Sequence, residues 1–266
     1  MAKTITAVIS DTHIGSTTAL SLKSYTTDEG QEIKATPARE WLLSSWLDYC
    51  DYLKALAGIT GRKRAHRLIV VHLGDVVDGL HHATPQAMPN LADQENMACD
   101  LLRPLVAMSD GYYQIRGTEA HAGLAAQSEV RIARELGARA CEYELDLCID
   151  GVLMNFVHHG RAGARPWTSS AAAQAGEMVI DRALAGQDIP KLLFRGHRHT
   201  LDDSGLRVPG IRVICASAWQ LKTAFGHKVA AGRRSDIGGL VVVGDVVDFS
   251  KARYLAAPGQ VRRIEV

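Results

Sequence analysis

Seven short apolar runs rich in Val, Ile and Leu punctuate this chain, at residues 5–9, 68–73, 112–115, 152–157, 192–194, 213–215 and 240–243. Each is short for a helix and too apolar for an exposed loop, so each reads as a buried strand. Between many of them lie amphipathic stretches of helical length, at 41–56, 93–108, 125–136 and 170–184. In the first, Trp41, Leu42, Trp46, Leu47, Tyr49 and Leu53 share one broad face. In the second, Pro104 is expected to kink the helix or end it early. Strands alternating with helices predict a layered α/β architecture.

Three further stretches, 16–39, 81–91 and 161–167, read as long loops. Loops of that kind in a compact domain are functional or disordered. No linker-like stretch divides the chain. The expectation is a single domain over residues 1–266, in which 236–266 add C-terminal strands and a basic tail at 261–263.

With 266 residues, 47% of them hydrophobic, the chain can bury one large core. Thirty Lys+Arg against 29 Asp+Glu leave a net charge of +1, so any polyanion-binding surface must be local. Five cysteines, an odd number with no C-x-x-C pair, argue against a disulfide framework or a thiolate zinc site. Reduced thiols and a cytoplasmic location are the expectation. The start, MAKTITAVISDTH, lacks the apolar stretch of a signal peptide, and no run of about 18 apolar residues offers a membrane span.

Histidine is the unusual component: eleven occur, mostly beside Asp, Gly or another His. Five apolar runs end in such clusters. Residues 5–9 lead to Asp11 and His13, 68–73 to Asp75 and Asp78, 112–115 to Thr118 and His121, 152–157 to His158 and His159, and 192–194 to His197 and His199. Ligands bind at the carboxyl ends of strands in open α/β sheets. So many ionisable groups beside an apolar sheet need compensation, and bound cations would supply it. Mixed carboxylate and imidazole donors suit Mn, Fe or Zn better than Ca or Mg alone.

In order, D-x-H at 11–13, G-D-x-x-D at 74–78, the turn Gly117-Thr118-Glu119-Ala120-His121, H-G at 159–160 and G-H-x-H at 196–199 resemble the signature of the calcineurin-like metallophosphoesterases. The stretches GDVVDGLHH and RGTEAH are similar to phage and prophage members. The resemblance implies a layered β-sandwich flanked by helices, with the metal site at the strands' C-terminal ends. It implies hydrolysis of phosphoric esters by a metal-activated hydroxide, on two divalent cations about 3.5–4 Å apart. Mn2+ is the first expectation, with Fe, Zn, Co and Ni as alternatives. Asp11, His13 and His199 would hold one cation, Asp75 would bridge, and His159 and His197 would hold the other. His159 is preferred to His158 because the family's ligand directly precedes the glycine. Asp78 would stand behind the ligands. Where the family has an Asn ligand followed by a catalytic His, this chain departs. Either Thr118 or Glu119 takes the ligand's place, or the second cation binds more weakly. His121 is the candidate general acid.

A phosphodiester substrate is the leading expectation, as DNA, RNA or a cyclic nucleotide. A phosphomonoesterase acting on a nucleotide or phosphoprotein, and an inactive binding scaffold, are the alternatives. No membrane partner is expected, and the oligomeric state is left open. Arg161, Arg165 and Trp167 follow the His159 turn and could hold phosphate and stack a base; a packed surface loop is the plain alternative. The same holds for His81 and His82 after Asp78.

Other features read as structural. GDVVD recurs at 244–248, where it predicts a β-hairpin turn. His72 reads as a satisfied core histidine, His66 and His227 as surface residues, the basic run 61–67 as a solvated loop, and Glu129 as part of a charged helix face.

Overall fold

In a computed structural model, residues 2–80, 85–159, 171–205, 209–223 and 234–255 are described, with 171–175 as backbone alone. In chain order the elements are β1 (Thr4–Ile9), β2 (Ser24–Thr26), β3 (Glu32–Lys34), α1 (Pro37–Leu56), β4 (Arg67–His72), α2 (Leu91–Ala107), β5 (Gly111–Ile115), α3 (Glu119–Ala122) and α4 (Gln127–Glu135). There follow β6 (Ala140–Glu142), β7 (Glu144–Ile149), β8 (Val152–Val157), α5 (Ala171–Leu184), β9 (Leu192–Arg195), β10 (Asp202–Asp203), β11 (Arg212–Cys215), β12 (Leu240–Val243) and β13 (Val246–Asp248).

Two sheets carry the fold. The first has the order β13-β12-β1-β4-β5-β6, with β1, β4, β5 and β6 parallel and β12 and β13 antiparallel at one edge. The second has the order β10-β11-β9-β8-β7, parallel across β11, β9 and β8. Successive side chains on a strand point to opposite faces. Thus Ile5, Ala7, Ile9, Leu68 and Val70 face Leu42, Trp46, Tyr49 and Leu53 of α1 and Met97 and Leu102 of α2. Val8, Ile69 and Val71 face the other way, onto Met154, Phe156, Leu192 and Phe194 of the second sheet. Met178 and Val179 of α5 cover that sheet's outer face at Leu193 and Val213. The result is the layered α/β architecture that the alternation of elements predicts, in the form of two packed sheets flanked by helices that the resemblance implies.

Several boundaries differ from expectation. Residues 16–39 are not one loop: they contain the β2–β3 hairpin, and α1 begins at Pro37 with the Thr36 hydroxyl accepting from the Arg39 amide. Proline suits the first helical turn, where its missing N–H has no partner to lose. Pro104 does not end α2, which runs on to Ala107. Its ring deprives only the carbonyl four residues back, at Asp100, which is solvent-exposed. The strands β6 and β7 have no apolar run to announce them. In β7 Leu145, Leu147 and Ile149 alternate with Glu144, Asp146 and Cys148, as on a half-covered strand. Glu129 does not lie on a solvated face: it is fully buried. The second GDVVD does form the β12–β13 hairpin. Among the described residues, no helix is long and apolar enough to cross a membrane.

Candidate metal centre

Parallel pairing brings the His/Asp clusters together. Ile9 lies beside His72 in the β1–β4 register, so the two following turns run side by side. Their backbones stay zipped: Asp11 N–H donates to Gly74 O (3.0 Å), His13 N–H to Asp75 O (3.0 Å) and Ile14 N–H to Val76 O (2.9 Å). In the second sheet Gly196 N–H donates to His158 O (3.0 Å). The His197 amide reaches across to the Asp11 carboxylate, at 3.0 Å to Oδ2.

These turns are strained. Asp11, His13, Asp75, His197 and His199 have φ of 52°, 41°, 53°, 68° and 54°. They make up five of the eight non-glycine residues with positive φ among the described residues. Such conformations cost about 1–3 kcal/mol each and persist where the surroundings over-determine them, commonly at functional sites. Glycines let the turns pack closely. A Cβ on Gly74 would lie 2.8 Å from Gly117 Cα, and one on Gly117 would collide with the Asp75 carboxylate.

The side chains form two halves that meet at Asp75. In the first half, His13 Nε2 and His199 Nε2 are 3.1 Å apart, and both face Asp11 Oδ1, at 3.7 and 3.3 Å. In the second half stand His158, His159 and His197, with ligand atoms within 4.8 Å of one another. Asp75 Oδ2 lies 3.9 Å from His13 Nε2, 3.9 Å from His121 Nε2 and 3.1 Å from His158 Nε2. Thr118 sits at the junction, its amide 2.7 Å from Asp75 Oδ1 and its hydroxyl 3.2 Å from Asp75 Oδ2. The first half is buried apart from His199, whereas His159 and His197 are exposed.

Neighbouring groups aim the imidazoles. The His158 Nδ1 lies 2.7 Å from Leu73 O, an acceptor, so Nδ1 carries a hydrogen and Nε2 is turned toward Asp75. His121 is fixed the same way on Asp78 O, at 2.7 Å. Behind His13, Asp78 Oδ1 stands 3.4 Å from Nδ1. Gln86 and Gln220 donate to the Asp78 carboxylate at 3.1 and 3.3 Å. A carboxylate behind a ligating histidine is a recurrent feature of metal sites. His72 is a satisfied core residue. It accepts from Gly74 N–H, and its other nitrogen meets the Thr12 hydroxyl, which donates to Val76 O.

Asp11 and Asp75 are 0% and 1% exposed. Burial alone would raise their pKa, but the surrounding histidines hold both below the usual carboxylate range. Burial likewise opposes charge on His13 and His158, and the facing carboxylates override it, holding them up at about 10 and about 9. The bare protein thus balances its two buried carboxylates with protons on imidazole. His197, dominated by burial and by the charge of His158, is pushed down to about 4. A divalent cation fits this donor set, because it neutralises the carboxylates and takes the lone pairs those protons occupy.

The structure therefore brings Asp11, His13, Asp75, Thr118, His159, His197 and His199 to one place, with Asp78 and His121 at its border. Glu119 opens α3 beside them. His81, His82, Arg161, Arg165, Trp167 and His227 lie outside the described residues. Motif order ranks one participant second and passes over another. One is His158, which the period-2 alternation of β8 places on the inward face with Met154 and Phe156. The other is Glu129, reached only through the tertiary fold. It accepts from Val76 N–H (3.1 Å) and from the Gln114 amide, and burial followed by the charge of Asp75 pushes it up to about 7.

No protein-family model and no curated protein sequence matches the chain. Among solved structures, the chain is similar to an archaeal phosphodiesterase at 10% identity, covering 90% of this chain and 92% of that one, with a TM-score of 0.42. It is similar to Yfce, a phosphoesterase from E. coli, at 13% identity, 91% and 90% coverage and a TM-score of 0.43. Wild-type Vps29 from Entamoeba histolytica, complexed with Zn2+, matches at 11% identity, 89% and 84% coverage and a TM-score of 0.42. With these TM-scores below 0.5, the functional reading falls on the side chains.

Proposed function

We propose that this chain is a divalent-metal-dependent phosphodiesterase, with nuclease activity as the leading specific case. One observation carries the reading: Asp11, His13 and His199 on one side and His158, His159 and His197 on the other each set ligand atoms within 4.8 Å of one another, and the buried carboxylate of Asp75 does the same with His13 and His121 and with Asp11 and His158. Asp11, His13 and His199 would hold one cation, Asp75 would bridge, and the second half would hold the other. When bound, such a pair acidifies water and neutralises phosphoryl oxygens, and Mn2+ suits the mixed donors.

The chain's own groups do the rest. Asp78 keeps His13 aimed inward. His121 donates through Nδ1 to a carbonyl, which leaves Nε2 facing the Asp75 side, placed to give a proton to a departing oxygen. His159 and His197 form the open side, so substrate approaches there. Arg161, Arg165 and Trp167 follow His159 within eight residues of chain, which supports a substrate with charge and bases beyond the reacting phosphate.

The test compares a bis-aryl with a mono-aryl phosphate in Mn2+. Single- and double-stranded DNA, RNA and cyclic dinucleotides follow, with Asp75→Asn as control. Faster diester turnover is expected. Equal or better monoester turnover would sink the diester assignment, and full turnover by Asp75→Asn would sink the mechanism.

A further inference from the structure

The two halves of the centre do not offer the same chemistry. The first combines Asp11, His13 and His199. The second is filled by imidazole: the rings of His158 and His159 are 4.8 Å apart between centroids, those of His159 and His197 4.6 Å, and those of His158 and His197 5.3 Å. All three contacts are edge-on. Among the described residues the Thr118 hydroxyl also borders this half, 3.2 Å from His158 Nε2 and 3.4 Å from His197 Nδ1. An aliphatic hydroxyl is a neutral donor with a short reach, and here it is occupied by the Asp75 carboxylate.

His158 is built in. It is 1% exposed, its Nδ1 is bonded to Leu73 O, and a Cβ on either Gly74 or Gly196 would lie 3.0 Å from that nitrogen. Both neighbouring turns therefore need glycine where they pass this ring. Nothing about the arrangement makes His159 an alternative to it. The two residues are adjacent at a strand end, yet both present a nitrogen to the same space as His197.

We infer that His158 and His159 both bind the second cation, together with His197 and the Asp75 carboxylate, so that this half is a three-imidazole site. The inference rests on the two-cation reading above. Its consequence is asymmetry. A three-histidine site with one carboxylate suits Zn2+ or Co2+, while the half with an additional carboxylate from Asp11 accepts Mn2+ more readily.

The experiment is a Co2+ titration of metal-free full-length protein, followed by calorimetry and by visible absorption. Wild type is compared with His158→Gln and His159→Ala, each checked first for an unchanged metal-free melting curve. Wild type should take up two equivalents. Each variant should keep one and bind the other at least about tenfold more weakly, the lower end of what loss of even an outer partner costs. The absorption of that weakened equivalent should change, since a nitrogen donor is lost. His159 is exposed, so its variant should fold even if the buried His158 variant does not. Two equivalents of unchanged affinity and spectrum in His159→Ala would overturn the three-imidazole site and leave the two-cation reading standing. Fewer than two equivalents in wild type would overturn that reading itself.

Discussion

Residues 74–78 and 244–248 are the same pentapeptide, GDVVD, and they do opposite things. The first follows a strand hydrogen-bonded on both sides, by β1 and β5. Its Gly74 and Asp75 turn with φ of 99° and 53°, and Val76 and Val77 are fully buried. Asp75 accepts from Thr118 and faces His158, while Asp78 stands behind His13. The second joins β12 to β13 at a sheet edge. There Val246 is 66% exposed, Asp245 pairs with Lys191 at the surface, and Asp248 accepts from Tyr52. A carboxylate becomes a candidate ligand by what lies across from it, and the carboxylates of the second copy face Lys191 and Tyr52 where those of the first face histidines.

The sharpest way to break this contrast is to change the same residue in both copies. Asp75→Asn should lower turnover more than about 100-fold and reduce bound metal, beyond what loss of an outer-sphere partner costs. Asp245→Asn should stay within about twofold, because an exposed ion pair contributes little. Steady-state kinetics and metal analysis on the purified pair decide it, and equal losses would erase the distinction.

The glycines come next. Gly74→Ala puts a Cβ 2.8 Å from Gly117 Cα at a φ of 99°, so the turn must shift and the centre should lose a cation. Gly244→Ala meets open space and should cost about 1 kcal/mol, from the left-handed backbone alone. Urea unfolding and metal stoichiometry separate the two.

Smaller again is the difference at the final aspartates. Asp78→Asn should weaken metal binding about 10–100-fold by freeing His13. Asp248→Asn should cost about 1 kcal/mol of stability and no metal affinity. Calorimetry with Mn2+ is the measurement, and unchanged affinity in Asp78→Asn would remove its supporting role.

A separate effect falls on the pH dependence of stability and not on metal affinity. Val76 of the first copy donates to Glu129, whose carboxyl is held at about 7 against an ordinary 4.5. The folded chain thus binds a proton more tightly than the unfolded one. The stability this contributes is fully present below about pH 4.5 and is lost as pH rises through about 7. Glu129→Gln should flatten that part of the profile in chelator-treated protein, read from urea midpoints between about pH 4 and 8. A profile as steep as that of wild type would show that Glu129 titrates normally.

Much of the architecture is legible in the chain because strands buried on both faces must be apolar throughout. The seven runs mark β1, β4, β5, β8, β9, β11 and β12 directly. The half-covered β7 escapes that criterion, since its alternation places an acidic or thiol side chain at every second position. At the centre, motif order points to Asp11, His13, Asp75, His197 and His199 because each follows a recognisable strand, and the fold sets them side by side. The adjacent pair His158 and His159 is ambiguous on motif grounds. The inward alternation of β8 brings in the first, and ring packing against His197 brings in the second.

The chain by itself determined which strands are buried, that five of them end in ligand-type side chains, and that the second GDVVD is a hairpin. These follow from periodicity and turn chemistry, which are local. Tertiary structure alone decided that Glu129 lies beneath Val76, that Thr118 joins the halves at Asp75, and that three imidazoles crowd one side of the centre. Those depend on distances between segments tens of residues apart, and local spacing carries no record of which groups a folded sheet will set face to face.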